Sequence, residues 1–197
     1  MFAQEFPTGL QLDTTFALIQ AYDEQSLQKF KSHFENVDTD KLVFLHYGGS
    51  HIQAENPTTI TRNLLQNRFG NGGRGLIFNY GAADTYSSVN YASTFTGKWK
   101  FNKSYQGRKS GLPLGVCGMV VETSDSTSTL TFTWKQPIQL DNYELTVLFE
   151  NDSISYDFSL WLNGKKSIKK ISTSAEGIGF DVNDSIVKIE IKVLPKN

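Results

Sequence analysis

A chain of 197 residues with 39% hydrophobic and 20% charged residues is long enough for one large or two small globular domains. Its 20 acidic and 19 basic side chains leave a formal net charge of −1, so no overall charge draws it to nucleic acid, and none is expected as a partner. No apolar run approaches the roughly 20 residues that cross a bilayer, so no membrane span is expected, and the single cysteine, Cys117, excludes an internal disulfide.

Phe2-Ala-Gln-Glu5 has the look of the end of a bacterial secretory signal peptide without its apolar core, which gives an expectation of export to the periplasm or cell surface. Leu27, Phe30 and Phe34 recur at spacings of three and four, which predicts a helix over residues 23–36. Polar punctuation from Asn36 to Lys41 precedes Leu42-Val-Phe-Leu45, which reads as a short strand buried on both faces, as in parallel sheets. Asn56-Pro57 opens the next helix with a capping side chain and an early proline; Ile60, Leu64 and Leu65 give it an apolar face and Gly70 stops it. A strand, a glycine turn and a helix in that order begin an α/β unit, in which binding and catalytic groups collect at the carboxyl ends of strands. The first domain is placed at residues 1–84.

Beyond Asp84 the chain turns to short stretches rich in Val, Ile, Thr, Phe, Tyr and Trp. Eight strands are predicted: Gly97–Phe101, Gly115–Glu122, Thr127–Trp134, Tyr143–Glu150, Phe158–Leu162, Lys165–Ile171, Gly177–Phe180 and Ile186–Val193. Asn163-Gly164 is a two-residue hairpin signal. The fold class is therefore α+β: a partial α/β segment, then an antiparallel jelly-roll-like β-sandwich over residues 85–197. Cys117, within LPLGVCGMVV, reads as a buried inert thiol, and Trp134 as core.

The chemistry concentrates at Tyr47-Gly-Gly-Ser50-His51. Small residues permit a sharp turn in which Ser50 offers both a hydroxyl and a backbone N–H to a substrate carbonyl. The only histidines are His33, His46 and His51, so no later imidazole serves Ser50 as base, and a neighbour in sequence such as His51 generally points elsewhere. Gly70-Asn-Gly-Gly-Arg-Gly75 satisfies G-x-G-x-x-G in form but follows a helix rather than a strand; it reads as a positive-φ return into a strand Gly75–Phe78, with Arg74 anchoring the loop or facing ligand. Glu55, Asp84, Asp181 and Asp184 form no recognisable metal or glycosidase pair, and Asp181-Val-Asn-Asp184 reads as a turn. No metal or other cofactor is expected.

The segment HYGGSHIQAENPTTITRNLLQNRFGNGGRGLIF resembles the first block of the SGNH (GDSL-type) hydrolases, specifically the bacterial branch with a G-D-S-H-I-Q-A-D pattern followed by a helix and F-G-N-G-G-R-G, over about Leu42 to Phe78. The branch includes peptidoglycan and carbohydrate O-acetylesterases. The resemblance implies that Ser50 is the nucleophile and an oxyanion donor, with His51, Gln53 and Arg74 as binding residues. The aspartate before the serine is replaced by Gly49, and the later aspartate by Glu55. It also implies that Tyr86 to Val193 is a sandwich resembling carbohydrate-binding modules, inserted after the first block.

The asparagine block and the terminal D-x-x-H of that family are absent, so the chain reads as a fragment or truncated homologue with little esterase activity of its own. Two functions follow as expectations: the N-terminal part of a carbohydrate or peptidoglycan O-acetylesterase, or a non-catalytic accessory protein that binds glycan or protein through the sandwich. The αβα piece buries too little alone, so its expected packing partner is the sandwich, a second copy or a further hydrolase segment.

Overall fold

The computed structural model describes residues 23–36, 43–106, 111–150, 157–168 and 177–195. The export signal expected at Phe2–Glu5 lies outside these residues, as does the predicted strand Lys165–Ile171 beyond Ile168. The chain divides into two compact units, Met1–Phe44 and Leu45–Asn197, so residues 45–84 belong to the same unit as the sheets.

In the first unit the predicted helix is α1 (Glu24–Glu35). Asp23 Oδ1 accepts the Gln25 N–H at 2.6 Å, the side-chain capping that starts a helix after an acidic residue. Phe34 meets Phe44 with ring centroids 6.0 Å apart. The side chains of Leu27 and Phe30 lie outside the described set.

The second unit is sheet-rich and antiparallel. Its helices are α2 (Ser50–Gln53) and α3 (Asn56–Phe69); its strands are β1 (Tyr91–Thr96), β2 (Lys100–Lys103), β3 (Met119–Glu122), β4 (Thr129–Leu148), β5 (Asp157–Leu162), β6 (Lys165–Lys166) and β7 (Gly177–Leu194). One sheet has the order β1-β4-β7-β5-β6, and β2 pairs with β3 in a second.

Long β4 and β7 replace four of the predicted short strands. Thr127–Trp134 and Tyr143–Glu150 merge into β4, and Gly177–Phe180 and Ile186–Val193 into β7, because irregularities carry the pairing through residues that read as turns. The register shifts between Thr133 and Ile138 and again between Leu140 and Tyr143, so Pro137 falls where no ladder hydrogen bond is needed. Asp181-Val-Asn-Asp184 is correspondingly strand, with Asp181 opposite Glu144 and Asp184 opposite Leu140. These breaks bend the ribbon back on itself: Phe180, on its distal half, comes to 6.3 Å from Phe158 on β5, and Phe149 packs edge-on against Phe158 at 5.1 Å. Both layers of the core are thus built largely from one pair of strands, with Tyr91, Leu160, Phe180 and Ile186 wholly buried.

Two further strand expectations shift. Of Gly97–Phe101, residues 97–99 form a turn, with Gly97 at φ 80°, and Lys100 and Phe101 open β2; β3 starts at Met119 rather than Gly115. Asn163-Gly164 does form the β5–β6 hairpin, with φ of 48° and 81°, the two positive values that a type I′ turn requires.

The α/β unit is not formed among the described residues. Residues 43–48 and 70–79 contain no strand, since a strand exists only where a neighbour pairs with its N–H and C=O groups and none of the described strands does so. The 77–83 segment is drawn instead onto the sandwich core. Ile77 and Tyr80 pack there, the Phe78 N–H and C=O both engage the Tyr91 hydroxyl, and Asn79 Nδ2 reaches Thr94 O and Thr131 O at 2.9 and 3.2 Å. Among the described residues no helix is long and apolar enough to cross a membrane.

Candidate functional site

Ser50 is the first residue of α2, reached from Gly48 and Gly49, and it is exposed. The turn is made by backbone bonds: Ile52 N–H and Gln53 N–H donate to Gly49 O at 3.1 and 3.2 Å, and Ala54 N–H to Ser50 O at 2.8 Å. A Cβ at Gly48 would sit 2.6 Å from Ile52 Cγ1, so a side chain there forces Ile52 to shift, whereas Gly49, at φ −89°, has open space around its missing Cβ. Among the described residues Ser50 Oγ has no hydrogen-bond partner, and the N–H groups of Ser50 and His51 have no backbone acceptor, as at any helix start. His46 and His51 are exposed, and neither is hydrogen-bonded to Ser50 among the described residues.

Behind α2 lies a buried polar knot. Glu55, 7% exposed, begins α3 in the left-handed conformation with φ 64° and carries no side-chain cap bond. Asn56, expected as the cap, is the first helical residue instead, with Pro57 next. Glu55 Oε2 accepts the Arg74 guanidinium, Ser88 Oγ at 2.7 Å and Asn90 Nδ2 at 2.8 Å. Asn90 Nδ2 also donates to Thr59 Oγ1 at 2.6 Å, and Arg74 lies over the Tyr91 ring at 5.2 Å. Burial is the largest single influence on the Glu55 carboxyl and raises its pKa, but the bonds from Asn90 and Ser88 and the Arg74 charge together outweigh it and hold the pKa below the ordinary glutamate value. Burial and the Arg74 charge lower the pKa of half-buried Arg62.

The knot fastens the α2–α3 corner to β1. Gln53 Nε2 donates to Tyr86 O at 2.7 Å and Thr85 Oγ1 at 3.1 Å, and Val89 N–H to Ala54 O at 3.1 Å. The glycine-rich loop is a positive-φ return, with Gly70, Gly73 and Gly75 at 91°, 94° and 82°. Gln66 Nε2 closes it on Asn71 Oδ1 and Gly73 O, both at 2.9 Å, and the Tyr143 hydroxyl donates to Asn71 O. Of the two roles open to Arg74, the geometry gives the anchoring one.

The structure thus brings Gln53, Glu55 and Arg74 into one framework and leaves Ser50 and His51 on its outer side. Ser88 and Asn90 escaped sequence reasoning, because SSVNYAST reads as a polar turn; the pairing of Glu55 with Arg74 across a glycine loop was the available signal. Asp84 and Asp181 are exposed and lie apart from Glu55 in the chain's architecture, on a turn and on β7.

Cys117 is half-buried, its Sγ 3.6 Å from Met119 O, and burial pushes its thiol pKa up, which disfavours the reactive thiolate.

No protein-family model, curated protein or solved structure matches this chain. The site is therefore read from its own chemistry: an exposed serine at a glycine-built helix start, on a corner held rigid by a buried ion pair.

Proposed function

We propose that residues 42–78 are the nucleophile-bearing block of an SGNH-type serine esterase directed at O-acetyl groups of peptidoglycan or another carbohydrate, and that this chain presents the nucleophile without its acid and base. The observation that supports it is Ser50 itself, exposed at the first position of α2, with its hydroxyl and N–H without partners among the described residues. In the reaction, Ser50 Oγ attacks the acetyl carbonyl carbon while a base takes its proton, and the N–H stabilises the oxyanion. The sugar hydroxyl then leaves with a proton, and water hydrolyses the acetyl-serine. The base and the acid come from a segment other than those described. Such a substrate lies outside the bacterial cytoplasm, in the periplasm or at the cell surface.

p-Nitrophenyl acetate turnover tests this reading. The chain alone is expected to give no Ser50-dependent turnover, and rapid hydrolysis abolished by Ser50→Ala contradicts the missing base.

A second reading is favoured by the absence of any imidazole bonded to Ser50 among the described residues: a non-catalytic accessory protein whose sandwich binds glycan or protein. It predicts glycan or protein capture that Ser50→Ala leaves unchanged.

A further inference from the structure

The five-stranded sheet turns one face to the core; on the other, Thr94, Thr133 and Lys166 are exposed, Thr131, Trp161, Glu190 and Lys192 are half-buried and Ser159 is buried. Strand alternation and register place Thr94 opposite Thr131, Thr131 opposite Glu190 and Glu190 opposite Trp161 across that outer face, with Lys166 beyond them on β6. One residue pair along, Thr129, Lys192 and Ser159 are aligned, and Lys188 lies opposite Thr133. The core residues Phe132, Leu160 and Ile189 occupy the alternate positions.

The outer face is ordered by specific bonds. Trp161 Nε1 donates to Ser159 Oγ at 3.0 Å, which fixes the indole, and the Lys192 ammonium rests 4.1 Å over the ring. Lys188 pairs with Glu190 at 3.1 Å, while Lys192 and Lys166 have no carboxylate partner among the described residues. The face therefore carries Lys166, Lys188 and Lys192 against Glu190 and Asp157, a small excess of positive charge centred on Lys192, with rows of threonine hydroxyls beside them.

We infer that this face binds an acidic polysaccharide whose uronate carboxylates reach Lys192 and Lys188 and whose hydroxyls meet the threonine rows. Charge complementarity selects the partner: an ammonium held in place by an indole donates to a carboxylate at low ordering cost, and charge-assisted hydrogen bonds are the strong ones. Glu190 disfavours a densely charged phosphate polymer but accepts hydrogen bonds from sugar hydroxyls. The inference rests on the carbohydrate reading above and not on Ser50.

Affinity electrophoresis of the full chain through polygalacturonate, its methyl-esterified form and dextran sulfate tests it. Retardation by polygalacturonate, weakened about tenfold by K192A and by K188A but unchanged by K100A on β2, is expected. Equal retardation by the methyl ester overturns the charge-based inference while leaving the carbohydrate reading intact, and absence of retardation by either uronate polymer overturns the inference itself. Stronger retardation by dextran sulfate that K100A reduces as much as K192A overturns it in favour of diffuse charge attraction. Unchanged thermal unfolding of K192A shows that any loss belongs to the face rather than to the fold.

Discussion

Arg74 and Glu55, 19 residues apart, meet as a buried ion pair that ties the glycine-rich loop to the first turn of α3, and the same carboxylate oxygen takes Ser88 and Asn90 from the approach to β1. A left-handed backbone at a glutamate costs on the order of 1 kcal/mol. That cost is offset because the conformation places the carboxylate among its donors.

Removing one partner leaves the other charge buried and unpaired. Glu55→Ala is expected to destabilise the chain by about 3 kcal/mol, and Arg74→Ala by a similar amount. Urea unfolding of both single variants and the double variant is expected to give strongly non-additive losses; simple additivity contradicts a coupled pair.

The Glu55 pKa lies below its unfolded value near 4.3, so the folded state binds fewer protons than the unfolded one in the acid range. Its contribution is fully present above the unfolded pKa and is lost as pH falls through the folded one. The stability advantage of the wild-type chain over Glu55→Gln is therefore expected to shrink below about pH 4. Denaturant midpoints of both chains between pH 7 and pH 3 check this; parallel curves contradict it.

The two glycines before Ser50 are expected to behave oppositely. Gly48→Ala drives its methyl into Ile52 and should shift the unfolding midpoint, at a cost of about 1–3 kcal/mol. Gly49→Asp meets open space at an ordinary φ and should change stability by no more than about 0.5 kcal/mol. Thermal unfolding of the two variants distinguishes them.

Phe180 is wholly buried against Phe158 only because the β4–β7 ribbon folds back. Phe180→Ala is expected to cost about 3–5 kcal/mol. A loss below about 1 kcal/mol, the scale of a surface change, contradicts the folded-back ribbon.

What the sequence revealed follows from how local each signal is. The Asn163-Gly164 hairpin and the α3 boundaries, with Pro57 near the start and Gly70 after the end, depend on a few adjacent residues and were legible. The fusion of four strands into β4 and β7 was not, because Pro137 and Asp141-Asn142 carry turn chemistry that the bulges absorb. The strand expected at Leu42–Leu45 is not seen at residues 43–45, the part that is described, for the opposite reason: the composition suits a buried strand, but nothing among the described residues pairs there, and Leu45 is 72% exposed. Likewise α3 presents Ile60 and Leu64 to solvent and turns Thr58 and half-buried Arg62 towards the rest of the unit, so its apolar face was readable but not its orientation. At the site, Ser50 was legible from its glycine turn, whereas Ser88 and Asn90 depended on tertiary contacts with Glu55 from 33 and 35 residues away.

The most direct test of Ser50 as a nucleophile lacking a base is p-nitrophenyl acetate hydrolysis by wild type and Ser50→Ala, with and without added imidazole, taking the variant as background. Added imidazole supplies the missing proton acceptor, a contribution worth about 10²–10⁴ in rate. The predicted result is no difference between the two proteins without imidazole and excess hydrolysis by the wild type with it. Excess hydrolysis without imidazole places a base within the chain, and identical rates at every imidazole concentration contradict Ser50 as the nucleophile.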